Sequence, residues 1–385
     1  MKSRLLGLFT TITIAGCTTA NNTEMEINRT YNFEEMLLIP VEIQGKSYQF
    51  VVDTGAEYTV LSPKIARTVS KELKVNELPD FYQTKLSFIK GVSGHLDKRS
   101  FKVNQPVRFS LAGQEIQDNV LAISLDLHFF YESLGRKVDG VIGLDTFRQL
   151  SLVVNNTQNQ YHSLNVAPSP ASFSHCTSYI DNGRLMVITL EHDDYSITVG
   201  VDLGANQSYV GRALIDDLNQ YNEMSLYLAS NRAKTVDVTG YHDKEEYIIK
   251  GLSFDSFSLG ELAVTVNEQE NYAVGLDFLS RFDRYAFLPH QMLFCYDAVS
   301  IEETWSPPLR ELRVRAHHNV IEVAFNDNVD LNLLGLKNGD VIVAANGKHY
   351  SDSDIGKLRK LFTEVPLNQI ELTILRGETQ INLTI

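Results

Sequence analysis

At 385 residues the chain is longer than one ordinary domain, and a composition of 43% hydrophobic and 21% charged residues is that of a globular protein. A formal net charge of −14 argues against nucleic acid as a partner, because phosphate binding needs clustered lysine and arginine.

The chain opens on "MKSRLLGLFTTITIAGC", with Lys2 and Arg4, an apolar stretch from Leu5 to Ile14, and small residues before Cys17. This is the layout of a secretory signal, too short to span a bilayer. "IAGC" resembles a bacterial lipobox, which implies removal of residues 1–16 and acylation of Cys17; an ordinary signal with a chance cysteine is the alternative. Thr18 rather than Asp follows, which in such lipoproteins goes with delivery to the outer membrane. The expected location is therefore the cell envelope, periplasm-facing, with residues 17–29 as lipidated cysteine and polar tether. No later segment is apolar over ~20 residues, so membrane contact falls to the lipid alone. Cys176 and Cys295 then remain, an even number in an oxidising compartment. A disulfide and two buried thiols both stay open.

Two patterns follow, each written twice. "LLIPVEIQGKSYQFVVDTGAEYTVLS" (37–62) alternates apolar and polar residues, turns at Gln44-Gly45, alternates again and reaches Asp53. "RLMVITLEHDDYSITVGVDLGANQSYVG" (184–211) turns near His192-Asp193-Asp194 and reaches Asp202. Period and turn chemistry make each a hairpin. Downstream, "VDGVIGLDTFRQLSLVV" (138–154) is matched by "NYAVGLDFLSRFDRYAFL" (271–288): two apolar residues, Gly-Leu-Asp, a short amphipathic helix and a strand. An internal repeat of this kind implies two similar halves.

The duplicated order resembles the aspartic proteases, specifically the retropepsin-like branch, over residues 30–300. The resemblance implies a mainly β fold: a lobe over 30–168, a second over 175–300, both pepsin-type β-barrels, and a bilobal cleft between them. Asp53 and Asp202 are the implied catalytic pair. Val51, Val52 and Val201 hold the carboxylates on stiff strand ends. Gly55 and Gly204 permit a sharp turn and close approach of the opposite lobe; Gly143 and Gly275 give the threading segment clearance; Ala56 and Ala205 are small for the same reason. One ionised and one protonated carboxyl around a single water is the chemistry such a pair supplies. The sequence does not say which holds the proton. Alanine at 56 and 205, where pepsin-like enzymes often carry serine, removes a hydrogen bond to the charged form and implies an activity optimum above about pH 3, nearer or above the ordinary Asp value of ~3.9.

The second motif departs from the family: Leu203 stands where Thr or Ser braces the two loops, and only Thr54 keeps its hydroxyl. Either the halves are braced differently, or the second is a scaffold and Asp53 pairs with that of another chain. A monomer with an intramolecular pair is the leading expectation. Substrate-covering flaps are expected at 87–103, a hairpin with Gly91 and Gly94 at its tip, and at 227–251, with Gly240.

After a linker at 301–309, residues 310–385 resemble a bacterial PDZ domain, an α+β module. The residues that carry this are Gly335-Leu336-Lys337, Gly339-Asp340, Ile342, the Asn346-Gly347 turn, an amphipathic helix over 355–363 and Arg376-Gly377. Such domains add an extended peptide as a strand; "RAHHNVIEV" (315–323) lacks the glycine-rich carboxylate loop, leaving strand addition beside Val320–Val323.

The function this implies is an endopeptidase acting on exported proteins or peptides, with the PDZ module selecting substrate. A non-catalytic peptide-binding lipoprotein is the rival reading. No cofactor or metal is expected: "EHDD" (191–194) and His317-His318 lie in turns, and no other metal or nucleophile motif occurs.

Overall fold

The computed structural model describes residues 27–385 except 88, 90, 98, 118–120, 193–194, 222–225 and 308–311. The signal segment, Cys17, most of the expected tether and part of the expected linker lie outside the described residues. Residues 27–29 are not tether: they belong to strand Ile27–Asn32, which pairs antiparallel with Gln160–Leu164. The reason is aromatic. Tyr31 stacks on the fully buried Tyr161, with ring centroids 5.0 Å apart, so the segment has a partner to fold against.

In the first half, Leu38–Ile43 and Lys46–Val52 form a hairpin whose turn residues Gln44 and Gly45 both have positive φ, at 51° and 74°. Two-residue hairpin turns require this, which is why the sequence places Gln-Gly there. Ile39, Val41 and Ile43 point inward at 0–1% exposure. At the strand's end Phe50, Val51 and Val52 are all buried, because strand Gly140–Ile142 runs parallel beside them and antiparallel to Val60–Leu61.

The second half repeats this plan. Met186–His192 and Tyr195–Val201 form the hairpin. Ala273–Val274 runs parallel to Gly200–Val201 and antiparallel to the strand Tyr209–Gly211 at Tyr209. The spacing also repeats: Val60 follows Asp53 by seven residues (60 − 53) and Tyr209 follows Asp202 by seven (209 − 202). The halves curl as a nine-stranded and an eight-stranded sheet, the latter closed by Glu191–His192 pairing with Leu252 and Ser253.

A third sheet joins them. Its six strands run in the order Ile27–Asn32, Gln160–Leu164, Leu152–Asn155, Arg284–Leu288, Leu293–Asp297, His175–Ser178. The halves meet where Val154 faces Tyr285 and Asn155 faces Arg284. On its far side Cys176 lies opposite Cys295 and the two are joined by a disulfide, so of the two open alternatives the paired one holds. One continuous apolar core runs through both halves.

The segment expected as the first flap folds back on itself as a tight hairpin with Gly91 and Gly94 at its tip, too short for strands among the described residues of 87–100. Gly91 N–H donates to Gly94 O at 2.8 Å and Leu96 N–H to Ile89 O at 3.1 Å. The second is a long hairpin, Leu226–Asp237 and Gly240–Phe254, turning at Val238-Thr239.

The tail is an α+β module with its own core. Its sheet runs Val314–His317, Val320–Val323, Val341–Ala345, Glu371–Arg376, Thr379–Thr384. Helices Asn328–Leu334 and Ile355–Glu364 accompany it. Asp340, 1% exposed, is held bidentately by Arg376 at 2.8 Å and accepts the Lys337 N–H at 2.7 Å, which explains both halves of the sequence signature. Val320–Val323 is not an edge: it is paired on both sides, so no strand can add there. The outer strand Val314–His317 is flanked by helix His128–Leu134 of the first half. Arg359 ties the two, donating to Ser133 O at 2.7 Å and Val314 O at 3.1 Å.

Candidate active site

Each Asp ends its strand in the same way. Asp53 N–H donates to Ile142 O at 3.0 Å and Asp202 N–H to Val274 O at 2.9 Å, so each threading strand pins the backbone that carries a carboxyl. The loops then turn back, and Leu144 and Leu276 donate to Ala56 O and Ala205 O, both at 2.8 Å. A Cβ on Gly143 would run into the Tyr58 carbonyl and one on Gly275 into that of Ala205, so glycine leaves clearance behind each loop.

Between the loops the two carboxyls come together, each set against the opposite half's glycine. Gly55 and Gly204 make this approach feasible, though not as turn formers, since neither has a left-handed backbone. A Cβ on Gly55 would overlap the Asp202 carboxyl, and one on Gly204 would overlap that of Asp53. What each glycine accommodates is the opposite half's acid.

The loops are braced from one side. Thr54 is completely buried; its Oγ1 donates to Val201 O at 2.7 Å and accepts from Leu203 N–H at 3.0 Å. Both hydrogen-bonding capacities of a hydroxyl that lacks a reciprocal partner are thus met by backbone of the other half. Leu203, 1% exposed, joins the apolar core. Behind the loops the halves differ again: Thr59 Oγ1 meets Thr146 Oγ1 at 2.8 Å, whereas Ser208 donates to Asp277 Oδ1 at 2.8 Å and accepts the Gly275 N–H at 3.1 Å.

The carboxyls also differ in their donors. Asp53 Oδ1 accepts from Gly55 and Ala56 N–H at 2.9 and 3.0 Å. Asp202 Oδ1 accepts from Gly204 N–H at 2.9 Å, but Ala205 N–H turns to the Asp202 carbonyl at 3.3 Å. Tyr209 supplies the missing donor, its hydroxyl reaching Asp202 Oδ2 at 3.0 Å. Burial, and then the charge of Asp202, push Asp53 well above the usual carboxyl range. Burial raises Asp202 too, opposed first by the Tyr209 hydroxyl and then by Gly204. Tyr209 itself is raised well above the ordinary phenol range by burial and by Asp202. Sequence reading missed this residue. Its only signal was positional, a tyrosine in one half where the other has Val60, visible once the repeats are superposed.

The two expected flaps meet at their tips as a roof. Ser93 N–H, in the turn between Gly91 and Gly94, donates to Asp237 Oδ2 at 2.6 Å, at the tip of the long hairpin. A Cβ on Gly91 would meet Val238, whereas Gly94 and Gly240 have open space around theirs. Burial acts to raise Asp237, but hydrogen bonds from Thr239 and Ser93 outweigh it and hold it below the usual range.

A family model described as Aspartyl protease matches residues 39–146, the stretch holding the first hairpin, Asp53 and the first threading strand. The first half thus carries an aspartyl protease-like fold; the match ends before the second half begins. A comparison with curated proteins found no match.

Proposed function

We propose that the chain is an aspartic endopeptidase that hydrolyses peptide bonds in exported proteins or peptides through Asp53 and Asp202. The observation that carries this is the close approach of two carboxyls, Asp202 buried and Asp53 half-buried, contributed from equivalent positions of two similarly folded halves, each set against the opposite half's glycine. Two such acids so close cannot both be charged, so near-neutral conditions leave one ionised and one protonated. The ionised member takes a proton from a water, whose oxygen bonds to the scissile carbonyl carbon. The protonated member gives its proton to the carbonyl oxygen. On collapse the C–N bond breaks and the leaving nitrogen takes the proton held by the base. The closed roof would exclude solvent once an extended peptide lay beneath it, and must open for that peptide to enter.

Cys17 is proposed as the lipid anchor, holding the enzyme at the outer membrane facing the periplasm. The tail is proposed as a PDZ-type substrate-selecting module; strand addition there falls to the outer strand Thr379–Thr384, which is paired on one side only. A non-catalytic peptide-binding protein remains the second reading, favoured by Leu203 and by the Ser93–Asp237 contact that closes the roof. Cleavage of a peptide library by the whole chain, its Asp53→Asn and its Asp202→Asn variants separates them. Loss of cleavage in both variants supports the pair. Loss at Asp53 alone points to a cross-chain pair. A folded wild type that binds but never cuts supports the second reading.

A further inference from the structure

We infer that Tyr209 is a positioning residue that fixes Asp202 as the ionised, proton-accepting member of the pair and Asp53 as the member that carries the proton. This rests on the two-carboxylate reading above and assigns the roles within it.

A phenol that donates to a carboxyl oxygen needs a lone pair there, and it bonds a charged carboxylate more strongly than a neutral acid. Tyr209 cannot easily turn away. It is 7% exposed, and its strand is fixed on both sides, Tyr209 facing Thr265 in one direction and Ala273 in the other. Its hydroxyl at 3.0 Å from Oδ2 therefore favours the charged form of Asp202. Among the described residues no side-chain hydroxyl donates to Asp53, and the position equivalent to Tyr209 is Val60, which has no side-chain donor. Both backbone donors to Asp53 go to Oδ1, leaving Oδ2 to hold a proton. The titratable groups facing the phenol are Asp202, Asp53 and, on the hairpin tip, Asp237. Asp237 is kept ionised by Thr239 and Ser93, so it supplies a fixed negative charge rather than a competing titration. Tyr209 thereby offsets what the second half lacks. Its loop contributes one backbone N–H to its carboxylate where the first half contributes two.

With roles assigned, Asp202 removes the proton from water as the oxygen bonds to the carbonyl carbon, and Asp53 protonates the carbonyl oxygen. On collapse Asp202 returns its proton to the leaving nitrogen and Asp53 regains one from the hydroxyl that becomes the new carbonyl.

Tyr209→Phe removes the hydroxyl and keeps the ring, and two readouts judge it. In the pH profile of kcat/KM for a library-derived peptide, the acid limb should move up by about one unit, with roughly tenfold less activity on that limb and KM little changed. In the whole chain without substrate, labelled with 13C at Asp carboxyls, the pair's lower titration step should vanish in Asp202→Asn, persist in Asp53→Asn, and rise in Tyr209→Phe. A lower step that vanishes in Asp53→Asn instead, or that Tyr209→Phe leaves in place, overturns the assignment. If the folded wild type cuts nothing, the hydrolysis reading fails, while the carboxyl titration still decides the role of Tyr209.

Discussion

Thr54 Oγ1 lies 3.0 Å from the backbone nitrogen of Leu203 and 2.7 Å from the Val201 carbonyl, so the first half's threonine bonds the second half's loop while the leucine at the equivalent position returns nothing. One hydroxyl does the bracing for two loops, and its neighbours are desolvated backbone. Thr54→Val should leave a buried N–H and C=O without partners and destabilise the chain by about 1–3 kcal/mol. Thr54→Ser, which keeps the hydroxyl, should recover most of that. Denaturant unfolding of the two variants checks the difference; equal losses would assign the cost to packing of the methyl group instead.

The glycines give a sharper test of the shared carboxyl seat. Gly55→Ala and Gly204→Ala each put a methyl group where the opposite half's acid sits. Displacing a reacting group by an ångström is enough to cost on the order of 100-fold in rate. Each variant should lose peptide cleavage by at least that factor, with kcat falling rather than KM rising and the circular dichroism spectrum unchanged. Full activity in Gly204→Ala would mean that Asp53 works at a distance from Asp202.

Burial sets the pair against the fold at neutral pH. Both carboxyls are raised in the folded state, Asp53 the more strongly, so the stability tied to their protonated forms is present below the ordinary carboxyl value of ~3.9 and is lost as pH rises through the raised folded values. Asp53→Asn keeps the shape and removes one ionisation. Its melting temperature should exceed that of the wild type at pH 7, and the gap should narrow as pH falls toward 4. A gap independent of pH would show that folding does not raise Asp53. The same shifts place the activity optimum above about pH 4, since the base must first lose its proton.

The tail is fastened to the protease-like body through helix His128–Leu134. Tyr131 accepts the Asn319 N–H and donates to Asp352, both at 2.9 Å; Glu132 accepts from Arg315 at 3.1 Å and from Tyr241, on the long hairpin, at 2.7 Å. Tyr241 also stacks on Phe325 of the tail, with centroids 3.7 Å apart. Arg359→Ala removes donors to the Ser133 and Val314 carbonyls and should loosen the docked helix by about 1–3 kcal/mol. Hydrogen exchange should then speed up in 128–134 and in the hairpin around Tyr241, and stay unchanged in the six-stranded sheet. Unchanged exchange in the hairpin would mean that the tail and the roof are mechanically separate.

The repeat was legible in the sequence because its signals are local. Period-two alternation, a Gln-Gly turn and a carboxylate closing a valine run are set by strand and turn chemistry within a few residues, so both hairpins and both aspartates stand where alternation and motif spacing put them. What bridges the halves was not legible. The Cys176–Cys295 pairing, the backbone that replaces a partner for Thr54, the tyrosine that reaches Asp202 from the next strand, and the two-sided pairing of Val320–Val323 all depend on contacts between residues distant in the chain or on the far side of a sheet. Alternation tells which face of a strand is buried; it does not tell what lies across from it. The composition of the carboxyl seat was written in the chain, and the hydrogen bonds that make its two acids unequal came only from how the halves pack.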